Sequence, residues 1–230
     1  MILIRTIFAH GKSGGILCGV RKDLFYVGSF QQGEFMLQMN LWDKIKKVKW
    51  IFLVVYGATQ DENKMNFLSE LSAFCSRNKE PILIGGDFNI LRYMNERNKP
   101  GGSFKYSDTF NSLINFYELR EIIMSGGLYT WSNNQDNPTL EKLDRILVSN
   151  GWADLYPQVL VRKLPREVSD HNPLIISSGI SKKPFQIQFR FELSWVSHPK
   201  FKNEVARIWG KPCNAKSALD RIQQKLKLFK

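Results

Sequence analysis

Pro81–Asn89, PILIGGDFN, is the stretch on which the reading of this chain turns. Pro81 cannot continue the helical pattern that precedes it. Ile82–Phe88 then reads as a buried strand with polar residues only at its end. Two positions apart, Asp87 and Asn89 leave that strand toward the same side. A carboxylate and an amide would stand together there: a base for water and a neutral donor for a phosphate oxygen, as phosphodiester hydrolysis requires. The same residues also read as an Asx turn at a strand end, since Asp and Asn favour turns.

Outward from this stretch the chain is mostly strands. Ile2–Phe8, Ile16–Val20, Leu24–Phe30, Glu34–Leu41 and Lys49–Tyr56 are short, apolar and β-branched or aromatic, with Gly14-Gly15, Gly28 and Gly33 between them. Thr59 and Glu62 have capping-box spacing, and Met65, Leu68, Leu71 and Cys75 recur at helical spacing. A polar loop covers 92–105. A second helix starts near Ser107, with Phe110, Leu113, Ile114 and Tyr117 on one face. Further strands are expected at Tyr129–Ser132, Leu143–Ser149, Val159–Lys163, Leu174–Ser177 and Phe185–Glu192. This order predicts two sheets packed face to face with helices outside, a layered α/β sandwich. Beyond about Ser194, Leu219, Ile222, Leu226 and Phe229 predict an amphipathic helix with a basic outer face.

The 230 residues suffice for one domain with a substantial core plus an extension. With 43% hydrophobic and 23% charged residues the composition is that of a globular protein, which argues against disorder. The longest apolar run, Trp50–Ala58, is far short of the roughly 20 residues of a membrane span, and Arg5 interrupts the only candidate leader. An intracellular protein with no membrane partner is expected. Cys18, Cys75 and Cys213 are odd in number and widely spaced, so neither a disulfide partner nor a zinc site is expected. The net charge of +12 is unevenly spread. Residues 1–180 hold 21 Lys and Arg against 18 Asp and Glu, a balance of +3; residues 181–230 hold 12 against 3, a balance of +9. We therefore expect a domain over 1–180 and a basic connector with amphipathic helices over 181–230. Such a segment suits nucleic acid by counterion release, or equally serves as a solvated helix face.

Two more clusters carry chemistry. In Leu143–Val148, LDRILV, a charged pair interrupts a core strand, and burying Asp144 is costly without a partner. In Ser169–Pro173, SDHNP, an Asp and a His precede the apolar LII. Asp170 has the hard oxygen that Mg²⁺ prefers. His171 can hydrogen-bond a phosphate if a carboxylate fixes its ring, and Asp144 is the natural candidate. A loop cap with a surface His is the alternative. His10 and His198 fit no pattern.

Jointly, D-x-N, LDRILV and SDHNP, each beside a strand and in this order, resemble the endonuclease/exonuclease/phosphatase superfamily, whose fold is that of DNase I. The resemblance covers about Ser13 to Ser178. GKSGGIL, VVYGATQ, GGDFNILR, LYTWSN, LDRILVS and SDHNPLII look like the endonuclease domain of plant LINE-type retrotransposon polyproteins, and FRFELSWVSHPKF looks like their connector. The resemblance implies a four-layer α/β/β/α sandwich with a C-terminal helical extension, and a Mg²⁺-dependent endonuclease acting on DNA, nuclear if expressed. It implies that Asp87 activates or positions the attacking water, Asn89 holds the phosphate, Asp144 orients His171, His171 stabilises the developing charge, and Asp170 contributes to the metal site. Tyr56 falls where the family places a phosphate-contacting tyrosine; a core aromatic with a wet hydroxyl is its other reading. Trp131, in the family's T-W element, reads as packing.

The sequence departs from the family's opening. A W-N-x-x-G-like strand and a Gln-Glu pair, whose Glu is a principal metal ligand, do not precede GKSGG; Glu34 follows Gly33 and lies on a later strand. The expectation is a fold lacking its first strands and helix, an incomplete Mg²⁺ site and weak or no activity. Beside the endonuclease stand two alternatives: a catalytically inactive retroelement remnant, and a phosphatase of a small phosphate ester.

Overall fold

In the computed structural model, which describes residues 2–7, 15–178, 200–213, 221–222 and 224–225, the Ile82 strand lies inside a six-stranded mixed sheet. The strands are β1 (Ile2–Ile7), β2 (Ile16–Arg21), β3 (Phe25–Gln32), β4 (Met36–Asp43), β5 (Val48–Tyr56), β6 (Ile82–Asp87), β7 (Arg120–Glu121), β8 (Met124–Ser125), β9 (Trp131–Ser132), β10 (Leu140–Glu141), β11 (Asp144–Val148), β12 (Val159–Lys163) and β13 (Leu174–Ser178). The helices are α1 (Asp61–Arg77), α2 (Ser107–Phe116), α3 (Asn150–Leu155) and α4 (Phe201–Trp209). The chain divides into two compact units, Met1–Ile180 and Ser181–Lys230.

The large sheet runs β3-β4-β5-β6-β11-β7. β6 pairs parallel with β5 and antiparallel with β11. Both faces of β6 are covered, which is why its sequence is continuously apolar. Ile82 and Ile84 join a core with Ile51, Leu53 and Val55 of β5 and with Phe67, Leu71, Phe110 and Ile114 of α1 and α2. Leu83 faces the other way, into a second core with Met39, Trp50, Trp152 and Tyr156. β2 closes that second core with strict alternation: Ile16, Cys18 and Val20 are buried while Leu17, Gly19 and Arg21 are exposed. The second layer is in pieces, a β1–β2 hairpin and a β13-β12-β8 sheet. Several sheets with few helices make a mixed α/β fold of the DNase I type.

Backbone packing at the core of the sheet demands glycine. Gly86 has φ +143°, and a Cβ there would stand 2.1 Å from the Val55 carbonyl oxygen. At Gly57, just after β5, a Cβ would stand 2.2 Å from the oxygen of Phe88. No other residue lets β5 and the end of β6 approach so closely.

Local expectations fared unevenly. α1 starts at Asp61 with Gln60 as N-cap and no side-chain cap bond, so the Thr59–Glu62 capping box does not form. Its buried stripe is Lys64, Phe67, Leu68, Leu71, Phe74 and Cys75, whereas Met65 is exposed. The apolar face is displaced because Phe67 and Phe74 fill the core. α3 lies where no helix was expected; Ser149 caps it by accepting from the Trp152 amide at 3.3 Å. Burial pushes the Cys18 thiol up to about 11 and the Cys75 thiol to about 12. No helix among the described residues is long and apolar enough to cross a membrane.

In the second unit, α4 carries an Arg207–Glu204 pair at 2.8 Å and a buried Ile208. Lys225 is buried and donates to the Trp209 carbonyl at 2.7 Å. The strand expected at 185–192, His10, His198, Leu219, Leu226 and Phe229 lie outside the described residues.

Candidate active site

Three strands present one row of side chains at the rim. Tyr56 of β5 is the register partner of Asp87 on β6, and Asp87 is the partner of Asp144 on β11. Directly paired residues project to the same face, here the side of the second core. Thr130, fully buried, fixes the start of β11: its Oγ1 accepts the amides of Leu143 and Asp144 at 3.0 and 2.9 Å.

The Ser169–Asn172 loop meets this row from the second layer. It lies against β9 through a Trp131–His171 bridge, with the Ser132 amide on the Asp170 carbonyl at 3.0 Å and the Asn172 amide on the Thr130 carbonyl at 2.7 Å. The imidazole of His171 then bonds Asp144 through Nδ1, 2.8 Å from Oδ2, and turns Nε2 toward Asp87, 3.8 Å from its Oδ2. Asp87, Asp144 and His171 thus form one contiguous group.

Asn89 follows β6 in a left-handed conformation, φ 51°. Its amide nitrogen donates to Asp87 Oδ2 at 2.8 Å and to the Gly57 carbonyl at 3.0 Å, and its backbone N–H to Asp87 Oδ1 at 2.9 Å. Of the two expectations for the D-x-N element, the Asx turn forms, and it orients the Asp87 carboxylate. With both amide hydrogens engaged, Asn89 holds Asp87 and would have to release one bond to hold a phosphate.

Electrostatics separate the carboxyl groups. Burial, and then the charge of Asp144, push Asp87 up to about 6. The Asp144 hydrogen bond raises His171 above its usual value, against the effect of burial. Asp170 goes the other way: the Trp131 indole, donating from Nε1 to Oδ2 at 2.9 Å, holds it below the usual carboxylate range. Trp131, expected to serve packing, contacts a candidate ligand directly.

The structure adds an unforeseen buried ion network. The Arg145 side chain has no solvent exposure and bonds Glu96 at 2.9 and 3.1 Å, the Ile90 carbonyl at 2.9 Å and the Lys142 carbonyl at 2.8 Å. Glu121 bridges Arg145, Lys142 and Arg92. Burial would raise Glu121, but these three cations outweigh it and hold it low. The network ties the segment after Asn89 to the segment before Asp144. Its sequence signal was Arg145 itself, a charge in the core-facing register of β11 that requires a partner.

As for Mg²⁺, no cluster of three or more His, Cys, Asp or Glu suited to a metal occurs among the described residues. Asp170 has one oxygen on Trp131, and both oxygens of Asp87 are on Asn89. This donor set does not fit a dedicated Mg²⁺ cage.

With this geometry in place, the class is that of a DNase I-type α/β fold with an Asp–His–Asp rim. A sequence model described as "Endonuclease/Exonuclease/phosphatase family" matches residues 4–171, and the chain belongs to that family. It is 25% identical over 163 residues to a Xenopus laevis protein, "Transposon TX1 uncharacterized 149 kDa protein", covering 67% of this chain and 12% of that protein. The chain thus spans about an eighth of that relative's length. Among solved structures, the endonuclease domain of TRAS1, a telomere-specific non-LTR retrotransposon, superposes with a TM-score of 0.62 at 13% identity, over 79% of this chain and 81% of that one. The 3′ phosphatase NExo from Neisseria, bound to product DNA hairpin, gives 0.57 at 16% identity over 77% and 80%.

Proposed function

We propose that the unit Met1–Ile180 is an endonuclease-type phosphodiester hydrolase domain of retrotransposon origin, directed at DNA. The observation that carries this is the placement of His171, anchored through Nδ1 by Asp144 with Nε2 facing Asp87. Asp87, at about 6, is a stronger base than an ordinary carboxylate and still largely ionised at neutral pH. It would accept the proton of the attacking water. When protonated, a state its raised pKa favours, His171 offers Nε2–H to a phosphate oxygen as charge builds there. Asn89 keeps Asp87 aimed. Tyr56, next in the row, would place its hydroxyl on the phosphate. A retroelement domain of this kind would act in the nucleus.

Mg²⁺ is the cofactor the family resemblance implies, with Asp170 its candidate ligand; the donor set supports only weak binding. A second reading, a catalytically silent nucleic-acid-binding remnant, is favoured by the engagement of Asp170 with Trp131. Supercoiled-plasmid nicking by the purified chain under a Mg²⁺ titration separates the two. Slow, Mg²⁺-dependent nicking that disappears in Asp87→Ala and His171→Ala is expected. Intact plasmid at every Mg²⁺ concentration, with DNA still bound, would leave the second reading standing.

A further inference from the structure

At the end of the large sheet opposite the rim, a cleft of about 430 Å³ opens over β3, β4 and β5. Its strand residues include Tyr26, Asn40, Trp42 and Lys49, and Asn78 and Glu80, just past α1, form a wall. Tyr26 pairs in register with Trp42, and Trp42 with Lys49, so the three project from one face in a row. This is the face that α1 and α2 cover nearer the rim, through Ile51, Leu53 and Val55. Here the row is open instead: Tyr26 is 64% exposed, Trp42 half-buried and Lys49 exposed. Lys49 and Tyr56 are seven residues apart on one strand, so roughly 20 Å separates cleft from rim.

Two aromatic residues in register on an open sheet, each with an ammonium over its ring that an arriving base would displace toward its own phosphate, need explaining. Lys44 Nζ sits 3.8 Å from the Tyr26 ring centroid and Lys49 Nζ 5.9 Å from that of Trp42. Lys44, Lys46, Lys47 and Lys49 crowd the β4–β5 turn. Asp43, among them, is buried and commits its oxygens to the amides of Ile45 and Lys46 at 2.9 Å and to the Tyr156 hydroxyl at 2.8 Å. The local field is therefore positive and suits a polyanion. At the wall, Asn78 spends its amide nitrogen on the Phe74 carbonyl at 2.7 Å, which leaves its oxygen, with Glu80, to accept from amino groups.

We propose that this cleft binds single-stranded nucleic acid, stacking neighbouring bases on Tyr26 and Trp42 with their phosphates met by Lys44 and Lys49. Aromatic platforms flanked by cations are the chemistry of base stacking without strong sequence preference. A duplex hides its base faces and would satisfy only the lysines. An acidic peptide likewise leaves the rings unused, and an apolar one leaves Lys44 and Lys49 without an anion. The cleft does not depend on phosphodiester cleavage at the rim.

The test is fluorescence anisotropy of the full chain with short labelled oligothymidylate and oligouridylate in EDTA, which silences metal-dependent cleavage. Tyr26→Ala and Trp42→Ala should each weaken binding roughly 5- to 150-fold, and Trp42→Phe should restore most of it. Lys49→Ala should lower the salt-dependence slope by about 0.7. Whether DNA or RNA binds better identifies the strand. Circular dichroism and melting confirm that each variant is folded. Photocrosslinking of wild type with 5-iodouracil-substituted strands should label Tyr26 or Trp42. Unchanged affinity in both alanine variants, labelling confined to other residues, or equal competition by duplex overturns the proposal.

Discussion

His171 Nδ1 stands 2.8 Å from Asp144 Oδ2, while the opposite ring nitrogen stands 3.8 Å from Asp87 Oδ2. One imidazole thus spans two carboxylates that are themselves register partners on adjacent strands. Strand pairing fixes the two acids, and the loop after β12 brings the ring between them.

Asp144→Asn should release the ring and remove the interaction that raises His171. The imidazole should then titrate at lower pH by NMR. Plasmid nicking should fall on the order of 100-fold, the typical cost of a misplaced catalytic group. An unchanged His171 titration would refute the orienting role without reference to activity.

Asp87 titrates at about 6 instead of 3.8, so the folded state keeps this proton to higher pH than the unfolded chain does. Stability from Asp87 must therefore decline as pH rises through about 4 to 6, by roughly 1–3 kcal/mol. His171, also raised, adds stability below its unfolded value that is lost as pH climbs through its folded value. Denaturant unfolding of wild type and Asp87→Asn across this range isolates the carboxylate: the decline between pH 4 and 6 should be shallower in the variant.

Arg145→Met should leave Glu96, 3% exposed, without its main partner. Breaking a buried pair from one side costs about 3–5 kcal/mol. Arg145→Met with Glu96→Gln should recover part of that loss in urea unfolding, because no charge is then stranded.

Trp131→Phe keeps the ring but deletes the indole N–H on Asp170. Carboxyl-detected NMR should show Asp170 titrating higher than in wild type. Because Asp170 lies at the surface, the melting temperature should hardly move. Calorimetric Mg²⁺ affinity should remain weak in both proteins.

Gly57→Ala would drive a Cβ to 2.2 Å from the Phe88 oxygen, between backbone segments that cannot give way. Its carbonyl also receives Asn89. Destabilisation of several kcal/mol is expected by denaturant melt, at the severe end for a single substitution.

The local elements were legible where one period dominated. ILI at 82–84 announced a buried strand and Ile16–Val20 a short apolar one, while the alternation of Ile16, Cys18 and Val20 toward the second core came from the structure. The motif residues Asp87, Asn89, Asp144, Asp170 and His171 could be named for their chemistry and order, and so could the family. Met65 misled because helical spacing does not say which stripe a sheet will cover; Phe67 and Phe74 decided it. Only the tertiary structure could set Asp144 opposite Asp87, give both amide hydrogens of Asn89 to neighbours, put the Trp131 indole on Asp170, and bury Arg145 against Glu96. These are contacts between residues far apart in sequence or in the final aim of a side chain. They depend on strand register and loop closure, which a linear pattern does not encode.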